Sequence, residues 1–240
     1  MLQEVQKNGM SITTETLCDY DLGGYDCPDC NNTGAITRNV DGQLFTRECR
    51  CMAIRRSLRR IRNSGMTDML SRYTFDNYDT PDQTRQKIKK QAERYASAEK
   101  GWFYIFGKSG SGKTHLCTAI CSKMINAGVE VYYMSWRDES VNLKSCVNDT
   151  EVYEEKMRKL KTVPVLYIDD FFKGNPSDAD VKLAFEIMNA RYNDTALRTI
   201  ISSEMDMKQL LSTDEALGGR IYERARGYVI AAPNENWRLR

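Results

Sequence analysis

Gly107-Lys108-Ser109-Gly110-Ser111-Gly112-Lys113-Thr114 is the stretch on which the reading of this chain turns. It matches G-x-x-x-x-G-K-[ST] in full, and its flanks fit the motif. Trp102-Phe103-Tyr104-Ile105-Phe106 before it is an apolar run between glycines, the pattern of a buried strand. After it, Leu116, Cys117, Ile120, Cys121, Met124 and Ile125 share one face of a helix that stops near Gly128. Between such a strand and such a helix, the glycines let successive N–H groups wrap around phosphates, and the helix N-terminus adds partial positive charge. Lys113 is expected to reach the β- and γ-phosphates and the Thr114 hydroxyl to ligate Mg²⁺, so the stretch predicts a site for ATP or ADP with Mg²⁺.

The other half of such a site is an acid at the end of a second strand. Val165-Leu166-Tyr167-Ile168 runs into Asp169-Asp170. Asp169 is the candidate for holding the Mg²⁺ shell and Asp170 for polarising an attacking water. A third strand, Thr199-Ile200-Ile201-Ser202-Ser203, ends in small polar residues, and Ser203 and Glu204 are candidates for sensing the γ-phosphate. An ordinary strand end explains them equally well. Arg220 and Arg224 stand four apart on one helix face. One of them could stabilise phosphoryl transfer on a neighbouring subunit. By their residues alone they read better as a solvated basic face with Glu223.

Working outward, residues 101–240 alternate apolar runs with amphipathic helices, an α/β pattern. Further strands are expected over 129–134, 163–168 and 228–231. A helix over 179–193 is expected to bury Val181, Phe185 and Met188, and another spans 214–225. Residues 53–100 are charged and helical in pattern, and residues 1–52 are rich in Cys, Gly, Asn and Thr. The chain therefore divides into an N-terminal region over 1–52, a charged lead-in over 53–100 and an ATPase domain over 101–240. Its net charge is only +2, which by itself selects no partner. No run approaches the roughly 20 apolar residues of a membrane span, and Met1 to Tyr20 lacks a signal-peptide pattern. A cytoplasmic protein without a membrane partner is expected. Its eight cysteines are then better placed to bind metal than to form disulfides.

Cys27-Pro28-Asp29-Cys30 and Cys49-Arg50-Cys51 form two thiolate knuckles, the ligand set of a structural Zn²⁺. The second knuckle is tight, and Cys18 is a possible substitute ligand. Four protein ligands leave no open position for chemistry. A redox dithiol is the functional rival. Between Arg47 and Arg62 stand seven arginines opposed only by Glu48, a strip able to bind phosphate backbone or an acidic protein surface. Trp136 and Arg137, with Lys144 nearby, form a second candidate for single-stranded DNA, although a buried tryptophan at a strand end is the plainer reading of Trp136. His115 is given no catalytic role.

Taken together these pieces resemble the bacterial and phage helicase loaders of the DnaC/DnaI type, in the IstB-like branch of the AAA+ ATPases. The resemblance spans roughly residues 25 to 240. It rests on the cysteine knuckles, Tyr73-Thr74-Phe75-Asp76-Asn77-Tyr78, the phosphate loop, the acid strand, the sensing strand, Arg220-Ile221-Tyr222-Glu223-Arg224 and the closing Asn236-Trp237-Arg238. It implies an AAA+ domain without a helical lid, preceded by a zinc-ribbon-like segment. It also implies a replicative hexameric helicase as partner, single-stranded DNA as ligand, and self-association through the ATP sites. By the same resemblance Phe75 and Tyr78 lie near the adenine, Arg224 is the trans-acting finger, and Arg220 and Arg238 support phosphate or subunit contacts. Two features depart from the family: Ser203-Glu204 stands where Asn is frequent, and the region before Cys27 is short. An IstB-type transposition helper is the nearest alternative. A small-molecule kinase fits the Asp169-Asp170 pair and the late arginines poorly, while Glu204 keeps open an adaptor that binds ATP without hydrolysing it.

Overall fold

In the computed structural model of the chain, residues 5–7, 10–12, 27–40, 42–63 and 67–236 are described. Cys18, Trp237 and Arg238 lie outside them, as do the side chains of Arg60 and Arg62. The strands are β1 (Val5–Lys7), β2 (Met10–Ile12), β3 (Ala35–Val40), β4 (Gln43–Glu48), β5 (Phe103–Phe106), β6 (Val131–Ser135), β7 (Val165–Phe171), β8 (Arg198–Ser203) and β9 (Val229–Ala231). The helices are α1 (Cys51–Asn63), α2 (Thr67–Arg72), α3 (Gln83–Ala96), α4 (Lys113–Asn126), α5 (Trp136–Ser145), α6 (Thr150–Thr162), α7 (Asp178–Asn193), α8 (Met207–Thr213) and α9 (Glu215–Arg224).

Five strands form one sheet in the order β6-β7-β8-β5-β9, with every neighbouring pair parallel. Helices cover both faces, which is why the strands read as unbroken apolar runs rather than alternating ones. The strand period of two still sorts the side chains. Phe103, Ile105, Val165, Tyr167 and Ile200 face α3 and α4, packing on Tyr95, Leu116 and Ile120. Trp102, Tyr104, Leu166, Ile168 and Ile201 face the other way, onto Ile187 and Met188 of α7 and Leu217 and Ile221 of α9. The β3–β4 hairpin is a separate antiparallel pair. Its cysteines form their own small cluster with Met52, whereas Ile54, three residues into α1, already belongs to the sheet core.

Several elements differ from the sequence expectation. Strand β7 runs on through Asp169 and Asp170 to Phe171, with a register shift between Ile168 and Phe171. The helix α7 turns a neighbouring stripe inward: Leu183, Ala184, Ile187 and Met188 are buried, while Val181 and Phe185 are only partly covered. Helices α5, α6 and α8 escape a sequence reading because their apolar residues are few. Of these, α6 and α8 are specified by their starts, where Asp149 and Asp206 accept the amides of Val152 and Gln209. Arg191 is wholly buried, an unexpected fate for an arginine. Its guanidinium donates to the carbonyls of Leu160, Val163 and Arg198 and to the Thr199 hydroxyl, fastening the end of α6 to the start of β8. Burial lowers its pKa to about 9, so these four acceptors hold a group that desolvation disfavours.

Candidate functional site

The phosphate loop leaves β5 at Phe106 and enters α4 at Lys113. Gly110 and Gly112 have φ of +78° and +89°, a region that side chains disfavour. A Cβ on Gly110 would also collide with the Asn236 side chain, and one on Gly112 would press on the Tyr78 ring. The C-terminal segment thus lies against the loop. Glu235 holds it to Arg85 of α3 at 3.1 Å. Lys113 turns its Nζ to the carbonyls of Gly107 and Lys108, at 2.7 and 2.9 Å, which sets the ammonium at the loop's centre. Burial lowers the Lys113 pKa, opposed by the charges of Glu204, Asp170 and Asp169.

Thr114 and Asp169 come together across the sheet. The threonine Oγ1 lies 3.3 and 3.4 Å from the two carboxylate oxygens, a pair of oxygen ligands able to share one Mg²⁺ shell. Asp169 is buried, which pushes its carboxyl above the usual range, while hydrogen bonds from the hydroxyls of Ser202 and Thr114 work the other way. Ser202 was not singled out in the sequence. Its hydroxyl donates to Asp169 and accepts the Asp170 amide at 3.1 Å. The register shift in β7 turns Asp170 toward the cleft at φ +53°, and Phe172 follows at +55°. Such conformations cost about 1–3 kcal/mol each and persist when packing determines them. Phe172 is held by stacking on Phe171 at 4.1 Å and edge contact with Trp136 at 5.4 Å. The Asp170 carboxylate pairs with Lys173 at 2.7 Å.

The cleft beside the loop holds about 290 Å³ and is walled by Tyr73, Asn77, Tyr78, His115, Asp170 and Lys173, among others. Phe75, expected near the base with Tyr78, packs against the sheet core instead, and Tyr73 stands on the wall. His115 belongs to this wall. Its ring sits between Tyr73 and Tyr78, at 4.8 and 5.1 Å, and its Nε2 lies 2.9 Å from the Thr74 carbonyl. At the end of β8 the hydroxyl of Ser203 donates to the Phe171 carbonyl and accepts the Met205 amide, so it braces the turn and does not line the cleft. Glu204 is half-exposed, 3.9 Å from Lys173.

Arg224 and Arg220 are both engaged within the chain. Arg224 lies over Trp102 and donates to the carbonyls of Asp194 and Leu197. Arg220 donates to Asn189 and covers Phe185 at 4.9 Å. Trp136 is buried against Phe171, which excludes base stacking on it. Arg137 and Lys144 are exposed on α5, with Lys144 paired to Asp180 at 2.8 Å. The arginine strip is not one face either. Arg55 is buried and donates to Asn32, Arg56 pairs with Glu48, and Arg50 pairs with Asp29.

Cys27, Cys30, Cys49 and Cys51 are all buried, and their four sulfurs lie within 4.8 Å of one another. Tetrahedral Zn–S bonds of ~2.3 Å require sulfurs roughly 3.8 Å apart. The Cys27–Cys49 and Cys30–Cys51 separations of 3.7 and 3.5 Å match that geometry. Asn31, Asn32 and Gly34 adopt positive φ to close the first knuckle. Burial pushes the thiols of Cys49 and Cys51 up. It also opposes ionisation of Cys30, yet hydrogen bonds from Gly34 and the facing thiols bring that thiol down to about 7, so the cluster without a cation carries little charge. The residues present therefore fit a structural Zn²⁺.

Comparison with known proteins agrees with this geometry. A protein-family profile described as IstB-like ATP binding protein matches residues 31–240. The phage-like element PBSX protein XkdC of Bacillus subtilis (strain 168) is 30% identical, with 96% of this chain and 91% of that protein aligned. The replicative helicase loader DnaC of Escherichia coli (strain K12) is 25% identical over 78% of this chain and 75% of its own length. Among solved structures, DnaI superposes with a TM-score of 0.58 at 26% identity, covering 70% of this chain and 92% of that one. The DnaC helicase loader reaches a TM-score of 0.60 at 19% identity, covering 68% and 98%.

Proposed function

The chain belongs to the IstB-like ATP-binding proteins, and from that membership we propose that it is a loader that places a ring-shaped replicative helicase on single-stranded DNA under control of bound ATP. It is a P-loop ATPase of the AAA+ fold. The observation that carries the reading is the pairing of Thr114 with Asp169 beside a lysine centred in the phosphate loop. Mg²⁺, when bound, draws negative charge off the β- and γ-phosphates. The chain's own groups do the rest. Lys113 and the loop amides hold the phosphates, Thr114 and Asp169 hold the metal shell, and Asp170 orients the attacking water. For that last role Lys173 must yield the Asp170 carboxylate, so the ion pair restrains hydrolysis until a partner or substrate moves it. Tyr78 and Tyr73 support the base. The cysteine hairpin together with α1, which crosses the expected boundary at residue 52, is the helicase-facing part.

Arg224 remains the candidate finger by family resemblance, and in this role it must leave Trp102 in the assembled state. Arg220 is the second candidate. Arg137 and Lys144 are the DNA candidates on α5. The protein is expected to work in the cytoplasm, and no helix among the described residues is long and apolar enough to cross a membrane.

ATP turnover measured with and without single-stranded DNA, across protein concentration, tests the reading. Turnover that rises with both, and falls at least tenfold in Lys113→Ala, supports a loader with shared sites. In that case a fall in Arg220→Ala or Arg224→Ala that mixing with Lys113→Ala subunits rescues identifies the finger. Turnover indifferent to DNA and concentration would sink the loader reading and leave a self-sufficient P-loop enzyme.

A further inference from the structure

We propose that one face of the β3–β4 hairpin is a second binding surface for single-stranded nucleic acid, separate from the ATPase sheet. The strand register decides which side chains share that face. Ile36 pairs with Arg47 and Arg38 pairs with Phe45, so Ile36, Arg38, Phe45 and Arg47 project together. Arg38 and Arg47 are exposed, and Phe45 stands 56% exposed between them. Arg50, in the second cysteine knuckle, joins Arg38 and Arg47 around a recess of about 350 Å³ floored by Ile36 and Asp29. Asp29 is the acid of this recess, and Arg50 pairs with it at 2.9 Å. Glu48 projects from the opposite face and pairs with Arg56 of α1. The charge on the face is therefore net positive.

An exposed aromatic ring between two guanidinium groups offers a stacking platform for an unpaired base and cations for the phosphates on either side. The recess is lined by the three arginines and not by Phe45, and it falls at the small end of ligand-sized sites, roughly 300–1,000 Å³, which suits the sugar-phosphate part of a nucleotide unit. A stable protein partner would need about 800 Å² from each side, so a helicase contact through the hairpin must also engage α1, and this face alone suits a smaller ligand. Among the described residues Phe45 lies outside the apolar clusters, so none of them gives its ring a core role. The metal knuckles give the platform its rigidity: Cys49 follows β4 directly, and its amide donates to the Gly34 carbonyl before β3.

This inference rests on the single-stranded-DNA part of the loader reading, and the experiment separates the two. Anisotropy of a fluorescein-labelled oligothymidylate is titrated with the full chain in Mg²⁺-ATP, at several salt concentrations. Zinc content and nucleotide affinity serve as controls for folding. Phe45→Ala is expected to weaken strand binding about tenfold with both controls unchanged, and Phe45→Trp to restore it. Arg38→Ala and Arg47→Ala are each expected to reduce the slope of log K against log salt by about 0.7. Binding and slope that match wild type in all these variants overturn the hairpin surface while leaving the loader reading intact. Variants that keep the strand but lose capture of a helicase ring show a protein-docking face and overturn it as well. A wild-type chain that binds no single strand sinks both.

Discussion

The central sheet and the β3–β4 hairpin are both β-structure, yet different forces hold them. In the sheet, Phe103, Ile105, Leu166, Tyr167, Ile168, Ile200 and Ile201 are all fully buried. Each such side chain contributes about 1.5–3 kcal/mol by leaving water, and helices on both faces multiply the effect. The hairpin leaves Val40, Leu44 and Phe45 more than half exposed, and its buried cluster is four cysteines and Met52. That apolar area cannot offset roughly 1–2 kcal/mol of backbone entropy per ordered residue. A structural Zn²⁺ on the four thiolates would contribute about 10–16 kcal/mol, enough to close the difference. The sheet is built by burial, and the hairpin carries the ligand set to be built by ligation.

The largest test of this contrast is removal of the metal. Cys51→Ser, or chelation of the wild type, is expected to release zinc and melt the hairpin, seen as loss of amide protection over residues 27–50. The sheet's thermal transition should stay close to that of the wild type. If both regions unfold together, the hairpin is an integral part of the ATPase core and the contrast fails. The converse change is smaller. Phe171→Ala removes a fully buried ring that packs on Trp136 and Phe172. It should cost about 3–5 kcal/mol in the sheet's unfolding free energy, with one zinc per chain retained.

Acid gives the smallest effect and sharpens the comparison from the ATPase side. Burial lowers the pKa of His115, the chain's single histidine, and its hydrogen bond to Thr74 opposes this only in part. A base with a depressed folded-state pKa stabilises the fold by staying neutral. The full contribution is present above the unfolded value of about 6.5 and is lost as pH falls from there through the folded value. Proton NMR of the ring should show a midpoint below 6.5, and His115→Gln should flatten that part of the stability profile. A midpoint at or above 6.5 would contradict the packing of this wall.

Much of the candidate site was legible because its chemistry is local. The phosphate loop, Thr114 and the acid Asp169 lie next to strand patterns that place them, and four cysteines on two knuckles announce their own geometry. Other residues gave no local signal. Ser202 reads as an ordinary strand residue until β7 and β8 pair and bring its hydroxyl to Asp169. Phe75 and Tyr73 are two residues apart in one motif, so their division between core and cleft depends on how the lead-in crosses α4. Arg55, Arg56 and Arg50 look like one basic strip, but helix and hairpin geometry sends each to a different partner.

Sequence alone determined the class of fold and the identity of the nucleotide loop, because hydrophobic periodicity and a glycine pattern are local consequences of backbone geometry. It also narrowed the metal-ligand candidates to Cys27, Cys30, Cys49 and Cys51 with Cys18 as a substitute, since spacing restricts which thiolates can meet. Only the tertiary structure decided that Asp170 is paired with Lys173, that Ser203 braces a turn, that Arg224 lies over Trp102 and that Phe45 stands between two arginines. Those facts depend on which strands become neighbours and in what register. Long-range pairing of that kind is settled by the collective burial of the core rather than by any stretch of neighbouring residues.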